Sequence, residues 1–247
     1  MPKVEIREYK TEEESLKSNG DYILKTALKE VQKKGFFTFV LSGGNTPKSL
    51  FEYLASPSYS KLMPWRNTYI FWVDDRCVEP DHPDSNFRMA DEAMLSKIII
   101  PSENIFRMPT EIKPSEEAAK IYEKKIIEFF KNRGGSSAYQ NKIPVFDLIL
   151  LGIGEDGHTA SLFPNAESLN IIDRMVISAA PGGTSPKIPR LTLTKPIINN
   201  ADSILFLISG ERKQNLARHI FNNRKKLSNT YPAAQIEPRN VSIWSLF

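Results

Sequence analysis

The densest chemistry in this sequence lies in one glycine-rich turn. Gly152, Gly154 and Gly157 are interleaved with Glu155, Asp156 and His158, so titratable groups stand where the backbone can bend sharply. The chain has three histidines: His82 falls in a polar loop, and His219 on a predicted helix beside Arg218. Only His158 follows an apolar strand, and it has a carboxylate, Asp156, two residues before it. An imidazole with an ordinary pKa of about 6.5 can act as a base near neutral pH. His158 is therefore the candidate catalytic base, and Asp156 the group that would orient its ring and stabilise its cation.

Other chemistries are weaker here. Asp156 and His158 could be two metal ligands, but no further histidine or carboxylate stands at a recognisable metal spacing, so no metal is expected. Ser161 follows closely, yet no G-x-S-x-G turn presents a nucleophile. Cys77, the only cysteine, has no histidine paired with it in the sequence.

A second turn points to phosphate. Ser42-Gly43-Gly44-Asn45-Thr46-Pro47 runs from a strand into a helix, where Thr46 suits the N-cap and Pro47 the first helical position. Backbone N–H groups bared at the positive end of a helix attract anions. The pattern is neither a P-loop nor a dinucleotide fingerprint, and a tight turn without ligand is the competing reading. Arg76, in Asp74-Asp75-Arg76 after the next strand, could grip a phosphate with its fork of donors or neutralise a neighbouring aspartate. These residues alone point to an enzyme acting on a phosphorylated small molecule by hydrolysis or isomerisation.

The elements that must position these groups alternate. Residues 145–151 form an apolar run short enough for a strand buried on both faces, and 36–41, 68–73, 174–180, 203–209 and 241–247 read as further strands. Residues 190–194 alternate as a strand with one buried face, and Val4 and Ile6 mark an edge strand. Thr11 and Glu14 have capping-box spacing before a helix with a break expected near Asn19-Gly20. Other helices are expected after Pro47, through Met94 and Leu95, from Ser115, and after Gly210. The stripe Ala118, Tyr122, Ile126, Phe129 and Phe130 reads as core contact. Residues 132–142 read as a mobile loop, and 181–186 as an exposed loop that could serve as a lid. The alternation predicts a single α/β domain over residues 1–247, a doubly wound, mostly parallel sheet whose ligands collect at the carboxyl ends of its strands.

Composition sets the outer bounds. In 247 residues, 33 basic and 29 acidic side chains leave a net charge of +4. With no basic stripe, nucleic acid is not an expected partner. A single cysteine favours a reducing compartment. No apolar segment reaches the roughly 18 residues of a membrane span, and the first residues lack a secretory signal. A cytosolic protein is expected.

Four stretches together resemble the glucosamine-6-phosphate isomerase/6-phosphogluconolactonase family: LSGGNTPKSLFEYL (41–54), WVDDRCVEPDHPDSNFRMA (72–90), FDLILLGIGEDGHTASLFP (146–164) and PRLTLT (189–194). They stand in the family's order, and their spacing spans about two thirds of the chain. After His158 the chain reads TASLFP, similar to the lactonase branch; the amino-sugar deaminases read IAFNEP and carry an acid that is absent here. The resemblance implies a three-layer Rossmann-like fold and no metal requirement; separately, no cofactor is expected and the chain is expected to be a monomer. The resemblance also implies hydrolysis of 6-phospho-D-glucono-1,5-lactone in the oxidative pentose phosphate pathway. By matching position, Ser42, Gly43, Gly44, Asn45, Thr46 and Arg76 would contact phosphate or sugar, Arg190 and Lys213 would support the same anion, and His158 would be the base. The chain departs from the family pattern at Ser185-Pro186-Lys187 and in its tail, IWSLF. A deaminase and a non-catalytic sugar-phosphate sensor are the alternative readings.

Overall fold

A computed structural model describes residues 2–134, 139–140, 143–183 and 186–247. The chain begins with β1 (Lys3–Glu8) and α1 (Glu12–Lys34), followed by β2 (Phe37–Leu41), α2 (Asn45–Leu54) and α3 (Pro57–Ser60). Next come β3 (Thr68–Trp72), β4 (Asp74–Arg76), α4 (Asn86–Ala93), β5 (Ile105–Phe106) and α5 (Ser115–Gly134). The short β6 (Tyr139–Gln140) and β7 (Ile143–Pro144) precede β8 (Leu148–Leu151), β9 (Val176–Ala179) and β10 (Arg190–Leu193). The chain closes with α6 (Lys195–Asn199), β11 (Ser203–Ile208), α7 (Glu211–Leu227) and β12 (Val241–Leu246).

Seven strands form one sheet in the order β1-β12-β11-β8-β2-β3-β5, with every pairing parallel. Helices cover both sides, so the fold is the expected α/β, Rossmann-like, mostly parallel architecture. The cover explains the sequence: every residue of β2, β8 and β11 is buried, which demands continuous apolar runs and no alternation. At the edge, β1 carries Lys3, Glu5 and Arg7, and Glu5 pairs with both basic groups; such charges discourage pairing with another chain.

Connections run one way from β2 to β3 and the other way from β8 through β11 to β12. The two strands are neighbours, paired at Phe39 with Leu148 and Val40 with Ile149. Their outgoing loops therefore part at a crevice, where open α/β sheets bind ligands. Asp147 fastens this pair of strands from the opposite end. Its carboxylate accepts from the Thr38 N–H at 2.8 Å and the Thr38 hydroxyl at 2.9 Å, and it meets Lys34 Nζ as well.

Several expectations are corrected. No break interrupts α1 at Asn19-Gly20. The Asn19 amide donates to Ser15 and Ser245 inside the core, and a β-carbon on Gly20 would stand 3.1 Å from Tyr53 and 3.2 Å from Tyr59, so the pair serves close packing. Asp74-Asp75-Arg76 is a strand, not a loop on the rim of the parallel sheet. It pairs antiparallel with β10, which pairs with β9, in a second, three-stranded sheet. Because that sheet is covered on both sides, Arg190 to Thr194 are all buried, against the expected single buried face. Val73 joins the two sheets: its N–H donates to Leu41 O at 2.8 Å and its carbonyl accepts from Leu193 N–H at 2.7 Å.

The residues of the α5 stripe are core, as read. Tyr122 accepts from Trp72 N–H at 2.9 Å and donates to Phe106 O at 3.0 Å, tying the ends of β3 and β5 together. Within 132–142, α5 continues to Gly134 and β6 pairs with β7; the expected mobility concerns 135–138 and 141–142, which lie outside the described residues.

Asp147→Ala strands Lys34 and the Thr38 N–H without their partner. Breaking one side of such a buried pair costs about 3 to 5 kcal/mol. Urea titration is expected to show that loss, and a midpoint within error of the wild type would disprove the fastening role.

Candidate active site

Three loops and the small sheet enclose a cavity of about 250 Å3 at the β2–β8 crevice. Of the residues expected from sequence, Ser42, Gly43, Gly44, Asn45, Thr46, Arg76, His158, Arg190 and Lys213 line it. Asp156 does not, and reaches the cavity through His158.

The first loop leaves β2. Its helix starts two residues earlier than expected, with Gly44 at the N-cap in the left-handed region, φ +107°, and no side chain capping it among the described residues. Thr46 and Pro47 therefore sit inside the first turn of α2. The Thr46 hydroxyl is free to meet Ser209 Oγ at 2.6 Å, and the uncapped first turn, Gly44 to Pro47, lines the cavity, where a helix start favours an anion. Gly43 is fixed by a neighbour: a β-carbon there would lie 1.8 Å from Asn86 Oδ1. Asn86 in turn donates its side-chain amide to Asp74 O at 2.8 Å.

The small sheet supplies two arginines. Arg76 and Arg190 are direct cross-strand partners, a placement that repels unless an anion lies between or near the two charges. Arg76 donates to Asp84 O at 2.7 Å, and among the described residues neither Asp74 nor Asp75 forms an ion pair with it. Asp75 takes the N–H groups of Arg76, Asn86 and Phe87 at 2.8, 2.7 and 3.0 Å, holding the start of α4. Burial, at 1% exposure, pushes its carboxyl up to about 6 despite those donors. Asp74 accepts from Ser161 Oγ at 2.6 Å.

Arg190 is only 4% exposed, and its Nη1 is buried with no hydrogen-bond partner among the described residues. Burial lowers its pKa from the usual guanidinium range, with Asp74 opposing the shift and Arg76 adding to it. Among the described residues Ser42 Oγ is likewise buried without a partner. Orphaned buried donors are rare and costly. Here two of them line the same cavity, as they would if a ligand completed them.

The third loop follows β8. Gly154 N–H donates to His158 O at 2.9 Å, Gly157 N–H to Gly154 O at 3.0 Å, and the Thr159 hydroxyl to Gly152 O at 2.8 Å. His158 Nδ1 stands 2.5 Å from Asp156 Oδ1, which also accepts the His158 N–H at 3.1 Å. A carboxylate only accepts, so Nδ1 carries the proton and Nε2 keeps its lone pair. The ring lies on Gly154, where a β-carbon would come within 2.1 Å of Nδ1, and Phe163 packs on it at 4.7 Å between centroids. Phe163 also lies under the Arg190 guanidinium at 5.4 Å and against Gly182. Within the expected lid loop, Thr184 and Ser185 lie outside the described residues.

The rival nucleophiles have no such setting. Cys77 is buried outside the cavity and burial raises its thiol pKa, while Ser161 is buried and donates to Asp74. Among the described residues no group of three or more His, Cys, Asp or Glu side chains is placed to hold a metal ion. Sequence reasoning overlooked Asp74, Asn86, Phe163 and Ser209 as cavity residues. Ser209 directly follows the parallel strand β11 on the ligand-binding rim, a signal that was available. Asn86 and Phe163 enter through tertiary packing and have no local signature.

The family model described as glucosamine-6-phosphate isomerases/6-phosphogluconolactonase matches residues 10–244. The chain belongs to this family. It is 43% identical over 218 residues to the 6-phosphogluconolactonase of Synechocystis sp., covering 88% of this chain and 85% of that one. It is 36% identical to the probable 6-phosphogluconolactonase 1 of Arabidopsis thaliana, over 97% of this chain and 90% of that one. Superposition on the crystal structure of 6-phosphogluconolactonase from Thermotoga maritima gives a TM-score of 0.82 at 30% identity, covering 99% of each chain.

Within this family member, the facing arginines predict a response to inorganic phosphate. Phosphate at a hundred times its Kd is expected to stabilise the protein by about 2.7 kcal/mol. Arg190→Met is expected to lose that gain and to melt higher than wild type without phosphate, since one of two mutually repelling cations is gone. Equal phosphate shifts in both proteins would rule this out.

Asp75 sets a second test. Its pKa rises on folding from 3.8 to about 6, so folding takes up a proton. The stability that this supplies is complete below pH 3.8 and is lost as pH rises through 6. The melting temperature of wild type relative to Asp75→Asn is therefore expected to fall between pH 4 and 6.5, and a constant difference would refute the assignment.

Proposed function

We propose that this protein is a 6-phosphogluconolactonase, hydrolysing 6-phospho-D-glucono-1,5-lactone to 6-phospho-D-gluconate, and that His158 activates the water. The observation that carries the reading is an imidazole whose Nδ1 is engaged by Asp156, beside a cavity lined by arginines and an uncapped helix start. The names of the relatives agree with it.

The substrate phosphate is held by the 42–46 turn and the basic groups around it, which places the ring ester near His158. Nε2 removes a proton from water as the oxygen bonds to C1. Asp156 stabilises the imidazolium through Nδ1–H. The bond from C1 to the ring oxygen then breaks, and the imidazolium returns its proton to that oxygen, leaving a free hydroxyl and a carboxylic acid that ionises. Negative charge gathering on the carbonyl oxygen is met by donors already in place, the kind of group worth about 2.7 to 4 kcal/mol where measured.

Phe163 favours hydrolysis over isomerisation. It stands where the deaminase pattern carries an acid, and its ring packs on His158. The reading uses groups from one chain only and describes a cytosolic monomer serving the oxidative pentose phosphate pathway without a metal or cofactor. Among the described residues no helix is long and apolar enough to cross a membrane.

The deciding assay measures lactone hydrolysis above the spontaneous rate. His158→Ala is expected to lose about 10² to 10⁴ in kcat with its melting transition intact. Near-normal kcat in that variant would remove the base assignment, and ammonia released from glucosamine-6-phosphate by the wild type would replace the lactonase reading altogether.

A further inference from the structure

Gly157 immediately precedes the proposed base, and its φ of +79° sets the direction in which His158 leaves the turn. A segment remote in sequence is packed against it. Measured from the place a β-carbon would take on Gly157, Tyr231 Cδ1 lies 2.3 Å away, Cγ 2.9 Å and Cβ 3.0 Å. The Ala233 N–H donates to the Gly157 carbonyl at 3.1 Å. Both residues belong to a connection that is itself braced. Tyr231 N–H donates to Leu227 O at the end of α7, residues Pro232–Gln235 form a 3-10 turn with Pro232, Ala233 and Ala234 buried, and the Gln235 side chain accepts from Lys195 and donates to Ser228 O. Tyr231 is not among the residues lining the cavity.

We propose that Tyr231 is a positioning residue: its ring and the Ala233 N–H clamp Gly157 and thereby fix His158 against Asp156. The proposal rests on the reading of His158 as the base. Besides Tyr231 and Ala233, the turn from 152 to 158 is met by the exposed Arg212 at Glu155, 3.9 Å away, and by Phe163 on the His158 ring. Its internal bonds close the loop on itself, and glycines at 152, 154 and 157 leave it soft. An outside brace is what converts such a turn into a fixed mount for an imidazole, and small displacements of a reacting group are costly, about a hundredfold in rate for 1 Å. The contact is made by ring carbons, so phenylalanine should serve as well as tyrosine.

The test compares Tyr231→Ala with Tyr231→Phe, using lactone hydrolysis and an NMR titration of the three histidines. For Tyr231→Ala the expected result is a kcat lower by about tenfold to a hundredfold, with KM within about twofold, because the groups proposed to hold phosphate lie on other elements. The His158 titration midpoint is expected to move as its contact with Asp156 loosens, and Tyr231→Phe is expected to restore both values. A general loss of stability would not separate kcat from KM in this way or move one histidine alone. Should Tyr231→Ala fail to fold, Tyr231→Leu, which lacks the flat ring, takes the same two measurements. Unchanged kcat in Tyr231→Ala, or equal losses in the Ala and Phe variants, overturns the clamp while an inactive His158→Ala leaves the base in place. A fully active His158→Ala overturns both.

Discussion

Two adjacent parallel strands with diverging exits govern this molecule. β2 and β8 are buried on both faces and fastened at their start by Asp147, so the loops that leave them have no freedom in where they begin. One loop carries the uncapped helix start and the other the imidazole. Val73 then passes the chain from the large sheet to the small one through a single residue hydrogen-bonded to both, bringing Arg76 and Arg190 over the same crevice. Remove the adjacency of β2 and β8 and none of these groups would share a cavity.

The site departs from what a stability-driven design would choose. Arg76 and Arg190 are cross-strand partners, and among the described residues neither forms an ion pair with a carboxylate, while Arg190 Nη1 and Ser42 Oγ are buried without partners. Places where a protein violates its own rules of polar satisfaction are commonly places of function. The rest of the small sheet is satisfied in detail: Asp75 holds the start of α4, Asp74 holds Ser161, and Glu123 gathers Arg174 with two backbone N–H groups at the start of β9. Two of the seven buried side-chain polar atoms without partners among the described residues thus fall at this one cavity, set in a rigid frame.

The large sheet was legible because burial on both faces writes itself as apolar runs such as LILL and SILFLI. The turns at 42–46 and 152–158 were legible because glycines and titratable groups coincide at the ends of those runs. The small sheet was not. β4 is three charged residues whose partner strand lies more than a hundred positions later, and no local pattern encodes that pairing. Helix starts were legible to within two residues: Gly44 takes the cap expected at Thr46, since a left-handed glycine turns the chain sooner than the proline requires. Asn19-Gly20 looked like a break and is a contact, because the signals for interrupting a helix and for letting aromatic rings approach it are the same small and polar residues. Phe163 and Tyr231 escaped notice for a plainer reason, as an aromatic residue near a turn carries no mark of what it will lean on.

The shape of the 42–46 turn has an owner outside itself. Asn86 occupies the space over Gly43 and is held there by the Asp74 carbonyl, so the anion-facing turn is moulded by the head of a different helix. Transplanted alone into another protein, residues 41–54 would carry their glycines but not their mould. The transferable unit is a pair of segments, and any recombination of such domains that cuts between positions 54 and 86 must bring both parents' halves from the same source.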